Sequence, residues 1–146
     1  MSAKHIDIAF TGDGARRYGG RWNHRGTPMV YTAGSISLAA LELLVHLQES
    51  KLLKTYMCIP AEFDDSLCVR IDPVSLPSDW NSHPAPYSTK EIGSAWTTGL
   101  RSAILIVPSV VVPSEHNFLI NPLHQDFRKV AIGEPREFQY DPRLMK

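Results

Sequence analysis

Residues 12–31 read GDGARRYGGRWNHRGTPMVY, and the rest of the chain is best read outward from them. Gly12, Gly14, Gly19 and Gly20, with Gly26 beyond them, are interleaved with four arginines (Arg16, Arg17, Arg21, Arg25) and the aromatics Tyr18 and Trp22. Glycine lets a backbone take left-handed turns and come close to a ligand. The guanidinium fork matches the oxygens of a phosphate. The stretch therefore reads in one of two ways. It is a loop system that holds an anionic ligand beside a ring for stacking, or it is a turn-rich connection whose arginines are solvated. No Gly-Lys-Ser/Thr follows, so it is not a P-loop, and the glycine spacing is not the GxGxxG dinucleotide fingerprint.

Upstream, Ile6, Ile8 and Phe10 alternate with His5, Asp7 and Ala9, which predicts a short strand. Downstream, Pro28–Thr32 predicts a second strand, broken by Gly34 and Ser35. Ser35 or Ser37 is a suitable N-cap for a helix over about residues 36–49. On a helical wheel Leu38, Leu41, Leu44, Val45 and Leu47 spread over one broad arc, with Glu42, His46 and Glu49 on the other face. Glu42 either faces solvent or is aimed at the same cleft as the arginine loop. His46, four residues on, is placed to meet it.

Strands are expected over Thr55–Pro60 and Cys68–Ile71, joined by the acidic turn from Glu62 to Asp65. Residues 73–86 are rich in Pro and Ser and predict a surface loop, with Trp80 as an anchor. Ser88-Thr89-Lys90-Glu91 has the capping-box pattern and predicts a helix to about Leu100, with Ile92, Ala95 and Trp96 buried. The apolar run SAILIVPSVVV over 102–112 predicts a central strand. Pro108 within it implies either a bulge that re-aims Ser109 or a break between two strands. A last strand is expected over Asn117–Pro122. Short strands with two intervening helices and no regular βαβα rhythm predict an α+β fold.

Lys+Arg and Asp+Glu number 15 each in 146 residues, so the chain has no basic excess of the kind that grips a nucleic-acid backbone. Composition is that of a globular protein, 43% hydrophobic and 21% charged. One domain over 1–146 is expected. Cys58 and Cys68 form no CxxC pair and are expected to be reduced, in a cytoplasmic protein. The six histidines show no HxxxH or HExxH spacing, so no metal is expected.

Taken together, the motifs resemble the RES domain family, the toxin component of a bacterial toxin–antitoxin pair. The matching pieces are Gly19-Gly20-Arg21-Trp22-Asn23, Gly26-Thr27-Pro28, Val30-Tyr31-Thr32, Ala40-Leu41-Glu42 and Val45-His46-Leu47. They continue with Gly93-Ser94-Ala95-Trp96, Val107-Pro108-Ser109, residues 117–124 (NFLINPLH) and Asp141-Pro142-Arg143-Leu144. The ordered set runs from about residue 10 to the end. The arginine, glutamate and serine that name the family match Arg21, Glu42 and Ser109, and Tyr31 matches the tyrosine associated with them.

The resemblance implies a compact mixed β-sheet with flanking helices, like the ADP-ribosyltransferase toxins, and an active site that consumes NAD. It also implies inhibition by an Xre-like antitoxin with a helix-turn-helix domain, nucleic acid being reached only through that partner. The family begins with an arginine-bearing strand ahead of the segment matching Lys4–Phe10, and only Met1-Ser2-Ala3 stands there in this chain.

Breaking the nicotinamide–ribose bond builds oxocarbenium-like charge, which a carboxylate stabilises. Glu42 is expected in that role, with Arg21 on a phosphate, Tyr31 stacked on nicotinamide and Ser109 hydrogen-bonded to substrate. The bond is then cleaved by hydrolysis or phosphorolysis, or the ADP-ribose passes to a protein of nucleotide metabolism. A non-catalytic or RNA-binding interaction domain is the alternative of another class.

Overall fold

The computed structural model describes residues 7–47 and 55–145. A four-stranded sheet runs in the order β1 (Val30–Ala33), β6 (His116–Ile120), β5 (Ile104–Pro108), β4 (Cys68–Arg70). β6 is antiparallel to both its neighbours, and β4 runs parallel to β5. Among the described residues there are also two small antiparallel pairs, β2 (Tyr56–Cys58) with β8 (Arg136–Phe138) and β3 (Ala61–Glu62) with β7 (Ala131–Ile132). The α-helices among them are α1 (Asp13–Tyr18), α2 (Ile36–Leu44) and α3 (Tyr87–Thr98). The α+β expectation therefore holds.

β5 is central because every one of its residues is apolar and buried, as expected of a strand covered on both faces. Its register sorts the core into two layers. Leu105 and Val107, with Leu119, pack against Trp22, Met29 and Trp96. Ile104, with Ile120 and Val30, packs on the opposite face against Leu67, Ala103 and Val130. Cross-strand partners share a face, so Tyr31, opposite Leu119, and Asn117, opposite both Ala33 and Val107, lie on the Trp22/Trp96 side.

Several expectations are corrected. Residues 7–10 form a helical turn, closed by Thr11 N–H on the Ile8 carbonyl, and not a strand; residues 1–6 lie outside the described residues. Residues 13–18, read as loop, are helical because Asp13 pairs with Arg16 and Arg17 one turn on.

α2 has the expected Ser35 cap, whose Oγ accepts from Leu38 N at 3.1 Å, but it ends at Leu44. Only Leu38 on it is buried, and Leu41 and Val45 of the expected apolar arc are exposed. Glu49 lies outside the described residues. α3 starts one residue before the expected capping box, after Pro86, with no side-chain cap. Ser88 Oγ instead donates to Asp79, and Glu91 bonds His24 Nε2 at 2.6 Å. Its buried stripe is Thr89, Gly93, Trp96 and Thr97, and Ala95 faces out. Neither alternative at Pro108, a bulge or a break between two strands, is found, since Pro108 pairs in register with His116. The strand stops there, and residues 110–115 turn back into β6 instead of forming another strand. Trp80, the expected anchor, is partly buried against the Trp22/Trp96 cluster.

Candidate active site

Arg21 leads the site. Both Nη1 hydrogens are taken by backbone carbonyls of the Pro/Ser-rich loop, Trp80 O and Ser82 O, each at 2.9 Å. Guanidinium has five N–H donors. Among the described residues the donors on Nε and Nη2 meet no acceptor, so one edge of the fork is clamped and the other is open. Partial burial lowers the pKa of Arg21, opposed by the Glu42 carboxylate nearby; an arginine so placed stays cationic. Of the four arginines, Arg16 and Arg17 are occupied by Asp13. The four-arginine anion loop thus reduces to one oriented cation at the site, Arg21, with Arg25 exposed.

Asn23 is the hub of the loop. It is fully buried, and its Nδ2 donates to the carbonyls of Ala15, His24 and Thr27 at 2.9–3.0 Å. Its Oδ1 accepts from the Tyr31 hydroxyl at 2.7 Å, and that hydroxyl in turn accepts from Trp22 N–H at 2.9 Å. Burial of the hydroxyl end pushes the Tyr31 pKa up, so it stays protonated and keeps donating. The residue as a whole is 41% exposed, leaving ring surface uncovered while its polar end is locked. Gly20 makes room for this lock, since a Cβ there would lie 2.5 Å from the Tyr31 oxygen. Replacing Tyr31 by phenylalanine is expected to destabilise the fold by about 1–3 kcal/mol, because Trp22 N–H and Asn23 Oδ1 are both left buried and unpaired. A urea midpoint unchanged from the parent protein would contradict this. Trp22 itself is core, 2% exposed.

α2 brings in Glu42. Its Oε1 accepts two short hydrogen bonds, from Ser109 Oγ at 2.7 Å and Asn117 Nδ2 at 2.6 Å. Among the described residues Oε2 has no partner. Glu42 is thus part-buried and turned to Ser109 and Asn117, not to free solvent, although it does not line the cavity beside Tyr31. His46 is exposed and makes no hydrogen bond or ion pair with it. Ser109 is fully buried, and its Oγ also accepts from Val111 N–H at 3.1 Å and Val112 N–H at 3.0 Å. One donor and two lone pairs exhaust a serine hydroxyl. The expected hydrogen bond from Ser109 to a substrate is therefore replaced by a bond to Glu42.

The structure thus bonds Ser109 to Glu42 and brings Glu42 and Tyr31 near Arg21. It adds Asn23 and Asn117, which sequence reading quoted within motifs without giving either a place at the site. A cavity of about 420 Å3 opens beside Tyr31, lined also by Gly12, Arg17, Tyr18 and Met29. Among the described residues no group of three or more His, Cys, Asp or Glu is placed to hold a metal, and no helix is long and apolar enough to cross a membrane. Cys58 and Cys68 are free thiols.

Residues 2–141 match the RES domain family. The chain belongs to that family. A RES relative from Yersinia enterocolitica, named "Toxin Res", is 42% identical over 142 residues, covering 97% of this chain and 93% of its own length. A relative from Sphingobium, named "Prs ADP-ribosylating toxin", is 39% identical over 139 residues, covering 93% of this chain and 86% of its own. The fold is similar to a chain in the crystal structure of the M. tuberculosis MbcT–MbcA toxin–antitoxin complex. That match has a TM-score of 0.71 at 19% identity and covers 99% of this chain and 83% of that one.

Proposed function

We propose that this RES chain consumes NAD as the toxin of a bacterial toxin–antitoxin pair, breaking the bond between nicotinamide and ribose. The observation that carries the reading is the Glu42 carboxylate, with one oxygen fixed by two short hydrogen bonds and the other open. As the C1′–N bond breaks, its electron pair leaves with nicotinamide and positive charge grows on the ribose. Glu42 Oε2 stabilises that charge, and fixing it beforehand avoids reorganisation during the reaction. The open donors of Arg21 suit a pyrophosphate oxygen. The uncovered ring of Tyr31 suits stacking on a flat base, and the neighbouring cavity gives a dinucleotide room to extend. Ser109 acts through Glu42.

The fate of the ADP-ribose has two readings. Water or phosphate can attack C1′, or a protein side chain can. The name of the Sphingobium relative favours the second. The names of the other relatives and the MbcT–MbcA complex support a toxin neutralised by an antitoxin; a helix-turn-helix protein of the Xre type is the proposed partner.

Incubation of the purified chain with NAD labelled in the adenylate half tests both readings. Release of nicotinamide supports the chemistry. Label on free ADP-ribose or its 1-phosphate marks hydrolysis or phosphorolysis, and label on a lysate protein marks transfer. Undiminished NAD in every arm would sink the proposal. In the same assay Arg21→Ala is expected to raise the KM for NAD about tenfold or more, from loss of a charge-assisted contact of about 1.5–3 kcal/mol. An unchanged KM would remove Arg21 from the phosphate role.

A further inference from the structure

We infer that Asn117 is a positioning residue whose side-chain amide exists at this place to aim Glu42, an inference that rests on the NAD-cleavage reading for its catalytic consequence. Three buried or partly buried asparagines allow a comparison within the molecule. Asn23 uses both ends of its amide, donating to three backbone carbonyls and accepting from Tyr31. Asn121 does the same, donating to Thr97 O at 3.0 Å and accepting from Leu123 N–H at 3.0 Å. Both tie the chain together. Asn117 differs. Its Nδ2 donates to Glu42 Oε1 at 2.6 Å, while its Oδ1 is buried and accepts from nothing among the described residues. A side chain kept for the local fold would satisfy its carbonyl, because an orphaned buried acceptor is destabilising. Among the described residues the only hydrogen bond this amide makes is to the carboxylate.

The sheet explains why it comes from this position. Asn117 is on β6 between Ala33 of β1 and Val107 of β5, on the face that carries Tyr31. Ser109, just past the end of β5, approaches the same Oε1. Two donors from different elements converge on one oxygen, and two convergent bonds fix a carboxylate's plane where a single bond leaves it free to pivot. An amide suits the task better than a second acid, which would repel Glu42 across 2.6 Å, and better than leucine of similar size, which cannot donate.

The test compares the parent protein with Asn117→Ala and Asn117→Leu, the latter keeping the size and losing the donor. Both are expected to lower kcat for NAD about 100-fold, the scale of a misplaced catalytic group. KM should stay within about threefold and the melting temperature should show no matching loss. A kcat equal to the parent's in the alanine variant, or a loss matched by the fraction unfolded, would overturn the inference. Crystal structures of the parent and of Asn117→Ala give a second readout that needs no turnover. Glu42 is expected to leave its single orientation in the variant, and an unchanged, fully ordered Glu42 held by Ser109 alone would overturn the inference. A parent that consumes no NAD but loses Glu42 order in the variant would sink the reaction and keep the positioning role. If the alanine variant does not fold, Asn117→Leu carries both comparisons.

Discussion

Glu42→Gln is expected to lower NAD consumption on the order of 10²–10³-fold while leaving the fold intact. The glutamine carbonyl can occupy the place of Oε1 and go on accepting from Ser109 Oγ and Asn117 Nδ2. Its NH2 then stands where Oε2 was, presenting a donor instead of a negative charge to the ribose. The substitution thus removes charge and keeps shape, so its effect should appear in kcat. Stability should change by less than about 1 kcal/mol, as for a part-buried site whose hydrogen bonds are retained. Nicotinamide release followed by chromatography, with a thermal melt as control, reads both quantities. Turnover within a few-fold of the parent would show that Glu42 is not the charge-stabilising group.

The second large effect is on stability. Gly93 is buried in the middle of α3, where a Cβ would lie 1.8 Å from the Trp22 carbonyl oxygen and 2.8 Å from its carbon. These are backbone atoms, and no rotamer relieves the clash. Alanine is intrinsically better than glycine in a helix by about 0.8–1 kcal/mol, but overpacking of this severity outweighs that. α3 must move away from residues 21–24 and strain or break the bonds Thr89 Oγ1–Arg21 O at 2.7 Å and His24 N–Ser94 Oγ at 2.9 Å. Gly93→Ala is expected to cost on the order of 3–5 kcal/mol. Activity should fall with it, because Arg21 is carried on the displaced segment. A guanidinium midpoint close to the parent's would show that the helix can shift cheaply.

What could be read from the sequence follows from where each signal lies. The apolar run 104–107, the Ser35 cap and the Asn117–Ile120 strand are written in side-chain type and period, and each formed. Glu42 was singled out by the family resemblance, since its position on a helix just after β1 left cleft and solvent both open. The orientation of Arg21 could not be seen, because Trp80 and Ser82 act through their carbonyls, which every residue has. Asn117 and Asn23 were equally hidden, since an asparagine in a strand or loop does not reveal its distant partner. The capping box failed because Pro86 lets the helix start at Tyr87, which moves Ser88 inside the first turn. The arginine-rich loop misled through Asp13, whose pairing with Arg16 and Arg17 depends on a helix that the glycines on either side conceal.

The parallel pairing of β4 with β5 requires a long connection, and that connection carries Trp80, Ser82 and α3. Arg21 and Glu42 both belong to the first third of the chain, yet their holders follow them by 59 to 75 residues. Contacts so distant along the chain form late in folding. During synthesis the arginine and the glutamate leave the ribosome with nothing to orient them. The pair of donors on Glu42 cannot be complete before Asn117 has been added. A chain that stops short of it has both charged groups and lacks the bonds that orient them, so the geometry of the candidate site is written by residues 80–117 and not by the segment that carries its charges.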